Sequence, residues 1–218
     1  MPTLAGLRFA ENQCGVINDD QHNHDRHGNN GRSGISGGFA FDIEDVDGVQ
    51  DSIMEIVRNP ELADYSKSAF YGLVDTFGQL MQGRTVSAET QQWWIKQDEE
   101  AHEALAGNRE PLSQTLVNLT SWIQQHPGVR IFFRGTDFDG SILESAYRSC
   151  GLTCPWHFAG KRDVRTYIDA MVKGTKGYLP KTHQPCFATV KHHSLHDAMN
   201  DAEQIAIAYR LNSQQVGA

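Results

Sequence analysis

The chain has 218 residues, a formal net charge of −8 and 39% hydrophobic residues. This length favours one domain of ordinary size. No apolar run approaches the roughly 20 residues that a membrane helix needs, and no basic segment followed by an apolar run opens the sequence. We therefore expect a protein of the cytoplasm, without a membrane partner. The acidic balance argues against a domain that holds nucleic acid through a broad basic surface.

The four cysteines are Cys14, Cys150, Cys154 and Cys186. They form neither a C-x-x-C pair nor the dense pattern of a disulfide scaffold, which favours reduced thiols.

The first part of the chain is polar. Residues 11–38 are rich in Asn, Asp, His and Gly and have almost no periodic apolar positions, which is typical of a mobile segment. We predict a flexible N-terminal extension over residues 1–38 and a folded domain over residues 39–218. The cluster of His22, His24 and His27 could bind a transition metal, but such tracts are more often solvated tail.

Strand patterns follow the extension. Phe39, Phe41 and Ile43 alternate with polar or small residues at the period of two that indicates a strand. Residues 52–57 and 69–76 are further candidate strands, and residues 129–133 are the clearest buried strand.

Helical patterns occupy most of the remaining chain. Leucine and isoleucine recur at helical spacing after residue 112, and four helices are predicted at about residues 87–106, 112–123, 141–150 and 197–212. Residues 154–165 are predicted as a loop and a short turn, and residues 178–190 as an irregular connection. This order of elements favours a layered α/β fold.

Acidic side chains stand at the ends of several of these elements. Asp42 and Glu44 share one face of a strand, where two carboxylates repel each other unless a cation lies between them. An acidic solvent-facing edge strand is the alternative. Asp139 lies between a buried strand and a helix, where Asp is also an ordinary N-cap, and Asp137 is a weaker candidate.

The last helix brings two further candidates. His196 would stand just before this helix and Asp201 in its first turns, so both could point into one cleft. The alternative is a surface histidine and an aspartate that favours the positive end of the helix dipole.

Several short motifs together resemble the DEDDh 3′-5′ exonucleases. The similarity is closest to phage exonuclease A and exonuclease VIII-like enzymes, which are related to RNase T. The motifs are Trp93-Trp94 after Phe70-Tyr71, Gly135-Thr-Asp-Phe-Asp139, Pro155-Trp156-His-Phe158, Asp163-Val-Arg165 and His196-Asp-Ala-Met-Asn-Asp201. The resemblance implies an RNase H-like mixed β-sheet flanked by helices.

The same resemblance implies a site and a mechanism. It assigns Asp42, Glu44, Asp139 and Asp201 to two divalent cations, Mg²⁺ or Mn²⁺, which hold the attacking and leaving oxygens at phosphorus. It assigns His196 as the general base. The implied partner is single-stranded or 3′-ended nucleic acid, with DNA favoured over RNA, and the implied product is a nucleoside 5′-monophosphate.

Four more residues are candidates for substrate binding. Trp93, Trp94 and Phe138 could stack on terminal bases, although paired tryptophans in a helix are more often core. Arg165 could hold a phosphate or pair with Asp163.

The sequence departs from the family pattern upstream. Asp45 and Asp47 stand where the family has small residues, and Glu55 interrupts the expected second strand. Two alternatives therefore accompany the DNA exonuclease: an exoribonuclease of the same fold, and a catalytically inactive nucleic-acid-binding module.

Overall fold

The computed structural model describes residues 3–9, 34–63, 66–81, 83–84 and 88–216. Its centre is a sheet of five strands in the order β3-β2-β1-β4-β5. The strands are β1 (Thr3–Phe9), β2 (Gly34–Asp42), β3 (Ala69–Val74), β4 (Arg130–Phe133) and β5 (Lys161–Asp163). The first three are antiparallel neighbours, whereas β4 is parallel to β1 and β5 is parallel to β4. This mixed α/β arrangement is consistent with the predicted RNase H-like fold.

Eight α-helices surround the sheet in the described part of the chain. They are α1 (Val46–Arg58), α2 (Thr76–Met81), α3 (Ala88–Ile95), α4 (Glu99–Glu103), α5 (Leu112–Gln124), α6 (Ser141–Ser149), α7 (Val164–Val172) and α8 (Ser194–Val216). Among the helices described, none is both long and apolar enough to cross a membrane.

The alternation of side chains along the strands builds two cores. On β2, Phe39 and Phe41 pack into one cluster with α1, α7 and α8, whereas Ala40 belongs to the other cluster. On β4, Phe132 joins the first cluster and Phe133 joins the second, which α5 and α6 cover. The period of two therefore places one helical layer on each face of the sheet.

The predicted extension contributes to this sheet. Thr3–Phe9 and Gly34–Gly38 are paired strand residues, so these parts of the prediction for residues 1–38 do not hold. A β-carbon at Gly37 would lie 2.5 Å from the backbone of Ser194 and Leu195, so the strand needs glycine to pass the start of α8. The prediction of a mobile segment for residues 10–33, including its three histidines, lies outside the described residues.

The predicted strand at residues 52–57 is wrong, because this segment is part of α1. Asp45 caps the helix by accepting a hydrogen bond from the Gly48 amide at 2.9 Å. The apolar side chains recur at spacings of three, four and three, which is a helical period. The buried ones are Val46, Val49, Ile53 and Ile56.

Two other helical segments differ from the prediction. The long helix expected over residues 87–106 divides into α3 and α4, because Asp98 caps a new helix by accepting from the Ala101 amide at 3.1 Å. Helix α7 was not predicted, and its first two residues belong to the segment 154–165 that was expected to be a loop and a short turn. Asp163 starts it by accepting hydrogen bonds from the Thr166 amide and hydroxyl at 2.8 and 2.9 Å.

The connection between α7 and α8, residues 173–193, contains neither helix nor strand. Side chains of the two helices hold it in place. The Gly177 amide donates to Asp169 Oδ1 at 2.8 Å, and the Leu179 amide donates to Gln204 Oε1 at 3.3 Å. Farther along, the Cys186 amide donates to the buried Glu203 carboxylate at 3.2 Å.

The three cysteines in the described residues are free thiols, as predicted. Burial raises the pKa of both Cys154 and Cys186 to about 11. Cys14 lies outside the described residues.

Candidate functional site

A polar cleft opens at the edge of the sheet where β4 ends. Its volume is about 210 Å³, and it is lined by Arg134, Tyr178, Lys191, His192, Asp197, Asn200 and Asp201. Arg134 directly follows β4, and Lys191 and His192 precede α8. Since Asp197, Asn200 and Asp201 follow each other at spacings of three and one, α8 presents them on one face. The cleft therefore combines two cationic side chains with two carboxylates.

Arg134 and Asp201 form a buried ion pair in this cleft. Arg134 donates from Nε and Nη2 to Asp201 Oδ1, at 2.8 and 2.5 Å. Its Nη1 donates to the Gly177 carbonyl at 2.9 Å. The guanidinium lies 4.3 Å from the centre of the Tyr178 ring, and the exposed fractions of the two paired side chains are 1% and 6%. The guanidinium is thus held by a carboxylate, a backbone carbonyl and an aromatic ring.

Asp139 lies near the same end of β4. It belongs to a single π-helical turn, Thr136–Gly140, which leads from β4 into α6. Its side chain is fully buried, and the residue before α6 is Gly140, so Asp139 is not the cap that its position suggested. Such turns recur at functional sites.

Asp42 lies at the opposite edge of the sheet. It ends β2, where it pairs with Thr3, and the next residue of β1, Leu4, pairs with Arg130 at the start of β4. Asp42 is therefore about 13 Å along the strands from the end of β4. It lines a separate pocket of about 530 Å³, which also contains Lys67 and His126.

Glu44 is also remote from the cleft. Tyr209 donates a hydrogen bond from its hydroxyl to Glu44 Oε1 at 3.4 Å. Tyr209 follows Asp201 by eight residues on α8, which corresponds to about 12 Å along the helix. The prediction that four carboxylates share one cleft therefore fails for Asp42 and Glu44, since β2 runs antiparallel to β1 and carries them to the other end.

His196 points away from the cleft. Helix α8 begins at Ser194, earlier than the sequence suggested, so His196 and Asp201 are both helical and about 140° apart around the axis. Nδ1 of His196 accepts a hydrogen bond from the Val190 amide at 3.0 Å. The structure does not bring the predicted base and its aspartate together.

His196 instead belongs to a stack of aromatic side chains. Its ring lies 4.2 Å from the ring of His193, which stacks in turn on Tyr71 at 4.7 Å. Burial, together with the nearby His196, lowers the pKa of His193 to about 3. Burial also lowers the pKa of His196. Both imidazoles are therefore neutral at neutral pH.

This stack should make the protein sensitive to acid. In the unfolded chain His193 has a pKa near 6.5, so below pH 6.5 the unfolded chain binds a proton that the folded chain does not. The contribution of His193 to stability is complete above pH 6.5 and is lost as the pH falls toward 3. We expect His193 alone to lower the free energy of unfolding by about 2 kcal/mol at pH 5.

Denaturant unfolding at pH 7.5 and pH 5 measures this loss. His193→Phe keeps an aromatic ring against Tyr71 but cannot titrate, so its loss between the two pH values should be about 2 kcal/mol smaller. The exposed His157 provides the control, His157→Phe, which should behave as the wild type. Equal losses in all three proteins would contradict the assignment.

The predicted stacking residues lie in different surroundings. Trp94 is buried core with 2% of its surface exposed. Trp93 packs edge-on against Trp94 and against His192, a residue of the cleft. Phe138 is partly buried against the second core cluster. Trp93 and the buried Trp94 both contact His192 of the cleft through their rings, at 4.6 and 6.0 Å between centroids, and stacking on bases remains a prediction.

Arg165 lies beside the cleft without lining it. Its Nη1 is 3.5 Å from where a β-carbon of Gly135 would stand, next to Arg134. The carboxylate of Asp163, its alternative partner, caps α7 through Thr166. Arg165 is therefore placed to add positive charge near the end of β4.

The described residues do not fit the predicted two-ion centre. In the part of the chain that the structure describes, no three His, Cys, Asp or Glu side chains are grouped to hold a metal ion. Asp42 and Glu44 are at the other edge, and Oδ1 of Asp201 is bonded to Arg134. Binding of Mg²⁺ or Mn²⁺ therefore remains a prediction.

Six residues of the cleft were not predicted as site residues from the sequence: Arg134, Tyr178, Lys191, His192, Asp197 and Asn200. A prediction that the last helix begins at residue 194 would have placed Asp197 and Asn200 on the same helical face as Asp201. Arg134 carried a signal too, because an arginine that continues a buried strand must find a buried partner.

In a comparison with protein-family models, residues 42–208 match the Rv2179c-like 3′-5′ exoribonuclease domain. Comparisons with curated proteins and with solved structures gave no significant match. The matched range contains β3 to β5, α1 to α7, the first part of α8 and every residue of the cleft. The chain therefore belongs to the Rv2179c-like family of 3′-5′ exonucleases.

Proposed function

We propose that the chain removes nucleotides from the 3′ end of nucleic acid and that the cleft beside Arg134 receives this end. The observation that carries the proposal is the meeting of Arg134, Lys191 and Asp201 in one cleft within the range of the family match. Asp139 lies at the same end of β4.

The charges of the cleft suit a phosphodiester backbone. Lys191 is exposed and borders the opening, so its ammonium can reach a phosphate oxygen from solvent. Arg165 adds a second exposed cation near Gly135. A local pair of cations can hold a single strand although the whole chain is acidic.

RNA is the first substrate that we propose, because the description of the family names exoribonucleases. Single-stranded DNA, which the resemblance of the sequence favoured, is the second.

Digestion of labelled strands tests the activity. RNA and single-stranded DNA of the same sequence carry a 5′ label, and each is incubated with the full chain in Mg²⁺, in Mn²⁺ and in chelator. A ladder that shortens from the 3′ end supports the proposal. A strand blocked by a 3′-phosphate and a circular strand are the controls, and cutting of the circle would show an endonuclease instead.

Lys191 should govern binding of the strand. We expect Lys191→Ala to weaken binding of single-stranded RNA about three- to tenfold at low salt and to reduce the dependence of log Kd on log salt by about 0.7, because one phosphate contact is lost. Fluorescence anisotropy at several salt concentrations measures both quantities.

The matched control for this experiment is Lys67→Ala. Lys67 is an exposed lysine that lines the pocket of Asp42 at the opposite edge of the sheet. It should leave the affinity and the salt dependence at the wild-type values. If Lys67→Ala weakens binding more than Lys191→Ala, the nucleic acid binds beside Asp42 and not in the cleft, which would contradict the proposal.

An inactive nucleic-acid-binding module is the second candidate. The ion pair between Arg134 and Asp201 favours this candidate, because Arg134 occupies a carboxylate that the resemblance assigns to metal binding in catalysis. This candidate predicts binding that depends on Lys191, with no shortening of the strand under any of the metal conditions.

A further inference from the structure

We propose that Arg134 is the resident cation of Asp201 and keeps divalent metal ions away from this carboxylate. The geometry supports the proposal at three points. Two N–H groups of Arg134 converge on Oδ1 of Asp201, at 2.8 and 2.5 Å. A third donates to the Gly177 carbonyl at 2.9 Å. The Tyr178 ring lies over the guanidinium at 4.3 Å.

The chemistry of arginine makes this cation permanent. A guanidinium stays protonated in proteins at any ordinary pH, so a positive charge always lies beside Asp201. A divalent ion on Asp201 would lie within a few ångströms of that positive charge, with only 1% of the arginine side chain exposed to solvent that could screen the repulsion.

The surroundings also hold the arginine in place. The Gly177 carbonyl is part of the connection between α7 and α8, and the Gly177 amide is held by Asp169 Oδ1 at 2.8 Å. Swinging the arginine out would therefore remove a hydrogen-bond donor from the buried Gly177 carbonyl and the counter-charge from the buried Asp201 carboxylate at once. The ion pair is a fixed part of the fold.

This proposal concerns metal binding and does not depend on whether the chain cleaves nucleic acid. It is tested with Mn²⁺ alone. The free Mn²⁺ concentration is followed by its electron paramagnetic resonance signal while the ion is added to wild type, Arg134→Gln, the double variant Arg134→Gln/Asp201→Asn and Arg148→Gln. Arg148 is an exposed arginine near the end of α6 and serves as the matched control.

We expect Arg134→Gln to gain one Mn²⁺ site at least tenfold tighter than any site of the wild type. The double variant should lose that site, because it lacks the carboxylate. Arg148→Gln should match the wild type. The proposal is overturned if the wild type already binds Mn²⁺ through Asp201, or if folded Arg134→Gln gains no site.

A measurement on the wild type alone keeps the proposal testable if Arg134→Gln does not fold. The buried Nε–H of Arg134 is held by Asp201 and should give a resolved side-chain resonance in a nitrogen-proton correlation spectrum. Mn²⁺ bound at Asp201 would broaden this signal beyond detection at a few molar equivalents. We expect the signal to persist, whereas its selective loss would show that the ion reaches Asp201 beside the arginine.

Discussion

Replacing Asp201 by alanine is expected to lower the free energy of unfolding by about 3–5 kcal/mol, because it leaves the guanidinium of Arg134 buried without its counter-charge. The side chain of Arg134 is 1% exposed, so water cannot replace the lost carboxylate. Urea unfolding followed by circular dichroism at pH 7.5 measures the change.

Two variants separate this loss from ordinary effects of mutation. Asp42→Ala removes a carboxylate whose Oδ1 accepts only a partly exposed local bond from the Glu44 amide at 3.1 Å, and it should cost about 1 kcal/mol or less. Arg134→Met/Asp201→Leu replaces the ion pair by apolar groups and should recover most of the loss. Equal costs for Asp201→Ala and Asp42→Ala would mean that the pair is not buried in solution.

Changing Asp201 to asparagine should reduce nucleotide release about 10²-fold or more, because the buried carboxylate that positions the Arg134 guanidinium in the cleft loses its charge. The amide oxygen can still accept a hydrogen bond from Arg134, so the fold should persist. The matched variant is Asp42→Asn at the other edge of the sheet, which should keep turnover within about twofold of the wild type.

Initial rates on the better of the two labelled strands, with both variants at equal folded fractions, give the comparison. This prediction rests on the proposed exonuclease activity. Loss of release in Asp42→Asn with retention in Asp201→Asn would reverse the assignment of the two edges. A wild type without any release would instead favour the inactive binding module.

The layered α/β fold could be predicted from the sequence because its strongest signals are local. The alternation at residues 39–44, the apolar run before Arg134 and the leucine spacing of α5 each depend on neighbouring residues only. Helix α1 was missed because Ile53, Met54, Ile56 and Val57 also suit a strand, and the Asp45 cap that decides between them lies outside that short window.

The site was only partly predictable, because it depends on strand direction. Asp139 and Asp201 were placed at the end of β4 and on α8, and the structure has them there. Asp42 was placed on a strand and is on one, but only the antiparallel pairing of β2 with β1 shows which edge it reaches. His196 was predicted to precede α8 but lies within it. Each residue of a helix turns the side chain by about 100° around the axis, so His196 does not share the face of Asp201.

The irregular connection between α7 and α8 has a consequence for how this chain tolerates change in length. Stretches without helix or strand are usually where proteases cut and where insertions accumulate. Here Asp169, Gln204 and Glu203 hold backbone amides of the connection at three points, and its Gly177 carbonyl completes the partners of Arg134. A protease should therefore spare it in the native protein, and removing even one residue between Gly177 and Cys186 should disturb the cleft.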